Sequence, residues 1–407
     1  MNSYIFKLAL KNITRSKRRT ILTFLMLSFG VSIYILMAGL FDGFDRTSFK
    51  NTIEFETGHF KIQSENFDKD RPFDKENIIT DIDKVTNALK SKKFIKGYTG
   101  RLQILGEIDN SQDTSPIVAV GVDPVQDKTV FALKQYIYDG GFAKQGVVVG
   151  KKLAADMKLN LGDVIYITFR NKDDMVTSMQ LSVSGLLNCS DEKVNMGTVF
   201  VNLDEAMKAM NVKGVTEFAV LTDAKTEDIK KVKKNIAELQ KDLPGFKMDR
   251  WDQQNEGLQA AVEIKKRVFD ILLLFILAIG AVGIVNTMLI SVLEKRREIG
   301  TLKALGMQDY EARNLFVFEG LVIGLIGSII GAILGTFMNL YFVVVGIDYA
   351  ALAGKDYAFL GVIKSTWPIG AYFISMFMAT ALSVLASYYP AKKVMKMQPV
   401  DCLRTIQ

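Results

Sequence analysis

The chain is short of the residues from which most catalytic and metal sites are built. It has one histidine and two cysteines in 407 residues. His59 has no second His or Cys near it in sequence, so it cannot form a zinc site alone; a surface or strand-edge position is expected. Cys189 and Cys402 are more than 200 positions apart. No cysteine lies near the N-terminus, so a lipidated start is not expected. The phosphate-cradling pattern G-x-x-x-x-G-K-[ST] is missing. The nearest run, GVVVGKK at 146–152, has the wrong spacing and lacks the hydroxyl that would hold Mg²⁺; it reads as a strand running into a helix. G-x-S-x-G, H-E-x-x-H and C-x-x-C are also missing. Asp173 and Asp174 are neighbouring carboxylates, but "NKDDM" has the polarity of an exposed turn. No catalytic residue and no metal ligand is assigned. Long low-complexity tracts and tandem repeats of 20–50 residues are absent too.

Charge is missing from four long runs, 21–41, 271–293, 320–345 and 365–389. At about 1.5 Å per helical residue each reaches the roughly 30 Å of a bilayer core. One central Lys, Arg or Asp would cost about 2.5–3.5 kcal/mol on insertion, and all four runs avoid that cost. Helices of a soluble core are rarely uncharged over such lengths. The first run is too long for the roughly 7–15-residue apolar part of a cleaved signal and is expected to stay as an anchor.

Orientation follows from Lys and Arg in the short flanks. Lys7, Lys11, Arg15, Lys17, Arg18 and Arg19 precede the first run. Lys295, Arg296, Arg297, Lys303 and Arg313 lie between the second and third. Lys392, Lys393, Lys396 and Arg404 follow the fourth. The 346–364 link has only Lys355 and Lys364. Both termini and the 294–314 link are therefore expected in the cytoplasm, with 42–270 and 346–364 outside, which would keep Cys189 and Cys402 on opposite sides. The net charge of +7 is then mainly a topology signal. Nucleic-acid binding, the other reading of a basic chain, does not suit clusters that hug membrane ends.

The expected organisation is a cytoplasmic amphipathic helix (1–20), a first span TM1 (21–41), a helical stalk (42–57), an outer domain (58–250), a second stalk (251–270), TM2 (271–293), a charged link (294–314), TM3 (315–345), an outer loop (346–364), TM4 (365–390) and a cytoplasmic tail (391–407). The outer domain alternates short β-branched runs with amphipathic stretches such as 79–92 and 226–243. Its order is β-α-β-β, a strand-rich piece, then β-α-β. That suggests one subdomain interrupted by another at about 123–213. The fold class is an α-helical membrane protein with four transmembrane helices plus an α+β extracytoplasmic domain of two subdomains.

Two features of the membrane part call for more than spanning. Gly320, Gly324, Gly327, Gly331 and Gly335 recur at three and four residues, a spacing that lets helix backbones approach closely in lipid. Glu319, beside them, is expected to snorkel or to pair with basic residues of the link. The link itself reads "EKRREIGTLKALG" over 294–306. A solvated turn would explain the charge. It would not explain the alternation of Glu294, Lys295, Arg296, Arg297 and Glu298 followed by Ile299, Leu302 and Leu305 on one face.

These residues carry a resemblance. "EKRREIGTLKALG", the Glu that opens "FEGLVIGLIGSIIGAILG", the tail "PAKKVMKMQPVDCLR" (with Val394 where Ala is common) and the front "LKNITRSKRRTILTFLMLSFGV" together resemble the permease family related to MacB and FtsX, a class of ABC transporter subunits. "GLFDGF" followed by "TGHFKI" is most similar to the lipoprotein-releasing, Lol-type C and E subunits. In this family the interrupted outer domain has a porter part with a strand-rich insertion. MacB-type exporters usually carry their own ATPase ahead of the first span, where this chain has 20 residues.

The resemblance implies a role for each feature. The link becomes a coupling segment seated on a separate ATPase: Glu294, Lys295, Arg296, Arg297 and Glu298 make polar contact, with Lys303 among the basic residues. Ile299, Leu302 and Leu305 present an apolar face, and Gly300 and Gly306 bend or cap it. ATP and Mg would be bound by two copies of that ATPase, and no cofactor by this chain. Motion would pass up TM2 and its stalk. Partners would be a second permease, identical or homologous, membrane lipids, and a lipoprotein cargo. The cargo's lipid anchor would enter between the first two spans near Met37, Leu40, Phe41 and Phe44 on one side and Leu258, Val262, Phe269 and Leu272 on the other. Plain stalk packing explains those residues as well. The candidate carrier-recruiting hairpin, 163–170 with 176–187, has a short turn and no proline, which leaves a periplasmic lipoprotein carrier as an open partner. The implied location is the bacterial inner membrane with the large domain in the periplasm. Three alternatives stay open: a MacB-like exporter of peptides or small amphipathic molecules, an FtsX-like mechanotransmitter acting on a cell-wall hydrolase, and a membrane-anchored enzyme, for which no catalytic constellation exists.

Overall fold

The computed structural model describes residues 17–68, 77–225, 228–254, 256–348, 362–398, 400 and 402. Most of the expected helix 1–20 and of the loop 346–364, and the end of the tail, lie outside the described residues. The chain forms two compact units. One is helical, built from the chain up to Asp45, Ala260–Ile347 and Ile363 onward; the other is strand-rich, Arg46–Gln259 with 348–362.

The helical unit holds four helices long and apolar enough to cross a membrane: TM1 (Lys17–Asn51), TM2 (Glu256–Glu294), TM3 (Asp309–Val344) and TM4 (Ile369–Met395). In hydrocarbon every backbone N–H and C=O must be satisfied within the segment, which the α-helix does. TM4 runs on to Met395, past the expected 390, and three other boundaries differ from expectation. TM3 begins at Asp309, not 315, because Gln308 and Glu311 form a reciprocal capping box. TM4 begins at Ile369, not 365. Pro368 precedes it, and the Ser365 and Thr366 amides donate to Phe342 O and Gly39 O at 3.1 Å instead of to a helix. The first stalk is α-helical only to Asn51; Thr52–Thr57 is a π-helix ended by Gly58 at φ +64°. A Cβ on Gly58 would sit 2.8 Å from Val220 O, so only glycine fits that exit.

The strand-rich unit contains β1 (Phe60–Ser64), β2 (Ile95–Asp109), β3 (Thr114–Val122), β4 (Ile137–Gly140), β5 (Gly146–Gly150), β6 (Val164–Arg170), β7 (Val176–Leu187), β8 (Thr198–Asn202), β9 (Glu217–Thr222) and β10 (Phe246–Arg250). They run β10-β1-β9-β2-β3-β8-β5-β7-β4, with β6 joined to β2 and β7. Helices Ile82–Ser91 and Ile229–Leu239 cover the β1/β9/β10 end, where Val85, Leu89, Val232 and Leu239 pack with Phe60, Ile62, Phe218 and Val220. A second core gathers Leu102, Ile104, Ile108, Ile117, Val147, Ile165, Phe169, Val183 and Val199.

The two-part reading holds, but the junction does not fall at 123. β2 pairs with β9 through Ile95–Arg101 and with β3 through Leu102–Asp109. The second core therefore begins at Leu102, inside a strand that also belongs to the first. The reason is length: 15 residues of β2 at about 3.3 Å each reach across both cores.

Candidate functional site

The charged link folds as a helix, Arg296–Ala304, closed by Gly306 at φ +103°. It is fastened to the bundle from both ends. Lys295 Nζ lies 3.1 Å from Glu319 Oε1, and Glu319 is buried in TM3. Lys303 Nζ donates to the carbonyls of Val394, Met395 and Met397 at 3.1, 3.1 and 2.9 Å, and pairs with Asp309 at 2.8 Å. The first two carbonyls belong to the last turn of TM4 and the third lies just past it, at the negative dipole end of that helix. Ile299 is buried in one cluster with Val292, Ala312, Phe316, Ala391 and Val394.

That arrangement corrects the expected docking face. Ile299 and Gly300 are buried in the bundle, Leu302 is half-buried, and Gly300 neither bends nor caps the helix. The exposed surface of 294–306 consists of Glu294, Arg297, Glu298, Thr301, Ala304, Leu305 and Gly306, with Leu305 80% exposed. Arg296 is half-buried, and the expected contact residues Lys295 and Lys303 turn into the bundle, toward Glu319 and TM4, so neither lies on the exposed docking surface. A polar ridge that ends in Ala304, Leu305 and Gly306 replaces the expected apolar face.

The glycine stripe of TM3 divides between two partners. A Cβ on Gly320 or Gly324 would meet Ser387 Oγ at 1.9 Å or Ser383 Cβ at 2.9 Å on TM4. On Gly327, Gly331 or Gly335 it would meet Leu27, Ser28 and Val31, or Ser32 and Ile35, on TM1 at 2.7–3.1 Å. Ser383 Oγ donates to Gly320 O at 2.6 Å. TM3 is thus the central post of the bundle, touching TM4 at its basic end and TM1 farther along.

At the other end of TM1 and TM2, Phe41 and Phe269 meet edge to face with centroids 4.8 Å apart, and Tyr34 stacks on Phe269 at 6.0 Å. Polar pairs bracket them. Tyr34 Oη donates to Asp270 Oδ1 at 2.7 Å, and Lys265 pairs with Asp45 while its ammonium lies over the Phe41 and Phe44 rings. Met37, Leu40 and Val262 are half-buried, and Leu272 is 47% exposed. The Leu258 side chain lies outside the described residues. The structure brings Phe41, Phe44 and Phe269 together. Sequence reasoning missed the polar bracket, because Asp45, Lys265 and Asp270 stand just beyond the apolar runs. It also missed Asn339, buried inside TM3, whose Nδ2 donates to Thr366 O at 2.7 Å; an amide in an uncharged run was the available signal.

The strand-rich unit has a cleft of about 510 Å³ with Glu56, Lys61, Arg101 and Gln103 in its lining. Its buried cations are already matched: Arg101 to Asp127, and Lys61 to Glu217 at 2.8 Å. His59 is buried immediately before β1, so of the two expected positions, surface or strand edge, the surface one is ruled out. Its Nδ1 accepts the Thr222 N–H at 3.1 Å, and burial pushes its pKa below the usual value, opposed more weakly by Asp223. Burial pushes the Cys189 thiol up to about 12, so it stays protonated. Asp173 and Asp174 lie in the exposed β6–β7 turn, where Asn171 Oδ1 caps the amides of Asp173 and Met175.

Known proteins agree with this architecture. Residues 20–239 match the MacB-like periplasmic core domain, and residues 271–399 match the FtsX-like permease C-terminal domain. A lipoprotein-releasing system transmembrane protein LolC from Xylella fastidiosa is 26% identical over 71% of this chain and 73% of its own length. A LolE protein of the same system from Haemophilus influenzae is 22% identical over 93% of this chain and 92% of its own. The macrolide export ATP-binding/permease protein MacB of Haemophilus ducreyi is 25% identical over 64% of this chain and 35% of its own. With a family domain spanning more than half its length and a second covering the last three helices, the chain belongs to the MacB/FtsX-like family of ABC transporter permeases.

Proposed function

We infer that this chain is the permease subunit of a transporter that lifts lipoproteins out of the outer leaflet of the bacterial inner membrane, driven by a separate cytoplasmic ATPase. The observation that carries the reading is the near full-length likeness to a LolE protein in both directions. The geometry supports a mechanical rather than a chemical role. The exposed ridge of Arg297, Glu298, Thr301 and Leu305 would meet an ATPase on the cytoplasmic side, while the opposite face of the same helix is fastened to TM3 and TM4. On the periplasmic side, Phe41, Phe44 and Phe269 offer aromatic surface where an acyl chain would leave the bilayer, at about 0.8 kcal/mol per buried CH₂.

A second permease is part of the reading. TM2 carries an outward stripe of Ile264, Val268, Ile271, Phe275 and Val282, each at least 50% exposed. Their four-three spacing is that of a helix–helix seam. Ile264 and Val268 precede the span, where lipid tails do not cover them. The carrier that would accept the lipoprotein is left to a partner subunit, because the β6–β7 turn spans only residues 171–175.

The MacB core match favours one second reading, export of a peptide or small amphipathic molecule. A pull-down of the tagged chain in mild detergent with mass spectrometry separates the two. Retention of an ATPase with triacylated lipoproteins is expected. An ATPase with a membrane-fusion protein and no lipoprotein selects the exporter. Absence of any ATPase would falsify both.

A further inference from the structure

We propose that Lys303 is the grip by which the coupling helix holds the cytoplasmic end of TM4, so that the ATPase stroke enters the membrane domain through the TM3–TM4 pair as well as through TM2. The inference rests on the coupling role given above and names the route within it.

Covalent connection alone would deliver motion to TM2, which ends at Glu294, and to TM3, which starts at Asp309. TM4 is not joined to the link in sequence. Yet the Lys303 ammonium reaches the carbonyls of Val394, Met395 and Met397, all within 3.1 Å. Its side chain is only 5% exposed. A lysine has three donors and no acceptor, and here they are shared among two carbonyls of the last turn of TM4, the Met397 carbonyl just past it and the Asp309 carboxylate at the start of TM3. The ammonium thus adds a cation at the negative end of TM4, alongside the cap bonds that Val394 O accepts from the Lys396 and Met397 amides. Its stem lies on the coupling helix opposite the exposed ridge of Arg297, Glu298 and Thr301, so a push on that ridge presses Lys303 toward TM4.

The path beyond Lys303 is stiff. Ile299 packs in one cluster with Ala391 and Val394 of TM4. TM4 lies against Gly320 and Gly324 so closely that a methyl on either would clash. Lys295 fastens the start of the coupling helix to Glu319 of TM3. Farther along TM3, Gly331 and Gly335 lie against Ser28 and Ser32 of TM1. A displacement of the coupling helix therefore has a packed route to TM1 that bypasses TM2. Lys303 is a positioning residue; it touches neither nucleotide nor cargo.

The test uses the purified permease–ATPase complex with Lys303→Met and Lys303→Arg, reading ATP hydrolysis, lipoprotein release and hydrogen exchange over 390–398. Lys303→Met is expected to assemble and hydrolyse ATP within about twofold of wild type while release falls at least about tenfold. Lys303→Arg, which keeps a buried cation beside the carbonyls, is expected to recover most of the release. A non-hydrolysable ATP analogue should change exchange over 390–398 in wild type and not in Lys303→Met. The proposal is overturned if Lys303→Met releases cargo normally, if its exchange responds to the analogue as wild type does, or if it cannot retain the ATPase, since the lysine would then serve docking. A wild-type complex that hydrolyses ATP without releasing lipoprotein refutes the cargo reading alone, and the exchange comparison still decides the role of Lys303.

Discussion

Arg101 and Asp127 are joined by two parallel hydrogen bonds inside the strand-rich unit, Nε to Oδ1 at 2.8 Å and Nη2 to Oδ2 at 3.0 Å. Nη1 donates to Phe55 O at 3.2 Å, and the guanidinium carbon lies 3.4 Å from the Phe131 ring centroid. Both residues are at most 3% exposed. Asp127→Asn leaves a buried cation without its counter-charge, a loss of about 3–5 kcal/mol. For a domain of this size the thermal midpoint should drop by on the order of 10 °C. Calorimetry of the full chain in detergent checks it; an unchanged midpoint would mean that water or another group takes over the pairing.

Gly331 and Gly327 should respond differently to alanine. At Gly331 the new methyl meets backbone, Ser28 O at 2.7 Å, whereas at Gly327 it meets only the Leu27 side chain, from 3.1 Å. Gly331→Ala is expected to lower stability by about 1–3 kcal/mol through overpacking, and Gly327→Ala by less because Leu27 can shift. Thermal aggregation midpoints of the two variants in one detergent compare them directly.

His59 makes the strand-rich unit sensitive to acid. Its folded pKa is lowered because burial disfavours the charged ring, and its Nδ1 already serves as acceptor for Thr222 N–H. The unfolded chain, with a pKa of about 6.5, binds the proton first. Stability from this group is therefore full above about 6.5 and is lost as pH falls through the lower folded value. Thermal midpoints between pH 8 and pH 5 should fall more in wild type than in His59→Asn; equal slopes would remove His59 as the cause.

On the Arg296–Ala304 helix and its cap, two apolar residues should separate folding from the proposed docking. Ile299 is 3% exposed and Leu305 is 80% exposed. Ile299→Ala is expected to cost about 2–5 kcal/mol of stability. Leu305→Asp should leave the thermal midpoint nearly unchanged and weaken retention of the ATPase. Loss of retention in neither variant would place the docking surface elsewhere.

The sequence made the four helices legible because a span needs an uncharged run, and little else produces one. It made the β6–β7 turn legible through "NKDDM". It could not show how the Arg296–Ala304 helix is rotated about its axis. Ile299, Leu302 and Leu305 form one apolar side in isolation, and only Val292, Phe316 and Ala391, distant in sequence, decide that Ile299 belongs to the core. The partners of Lys303 were hidden for a stronger reason. They are main-chain carbonyls, which every residue has, so no side-chain pattern at 394–397 announces them. His59 misled because a lone histidine carries no periodicity, and its burial depends on β9 more than 160 positions away.

β2 crosses from one hydrophobic core into the other without a break at residue 101 or 102. A domain inserted through loops can be excised or exchanged as a cassette, and its unfolding need not disturb its host. Here the boundary falls between two peptide units of one extended strand. Removing the strand-rich piece would strip Leu102–Asp109 of its partners while Ile95–Arg101 kept theirs. The two cores should therefore melt as one cooperative unit, and chimaeras that swap this piece between relatives will have to be cut in turns, such as the one after Asp109, with β2 left whole.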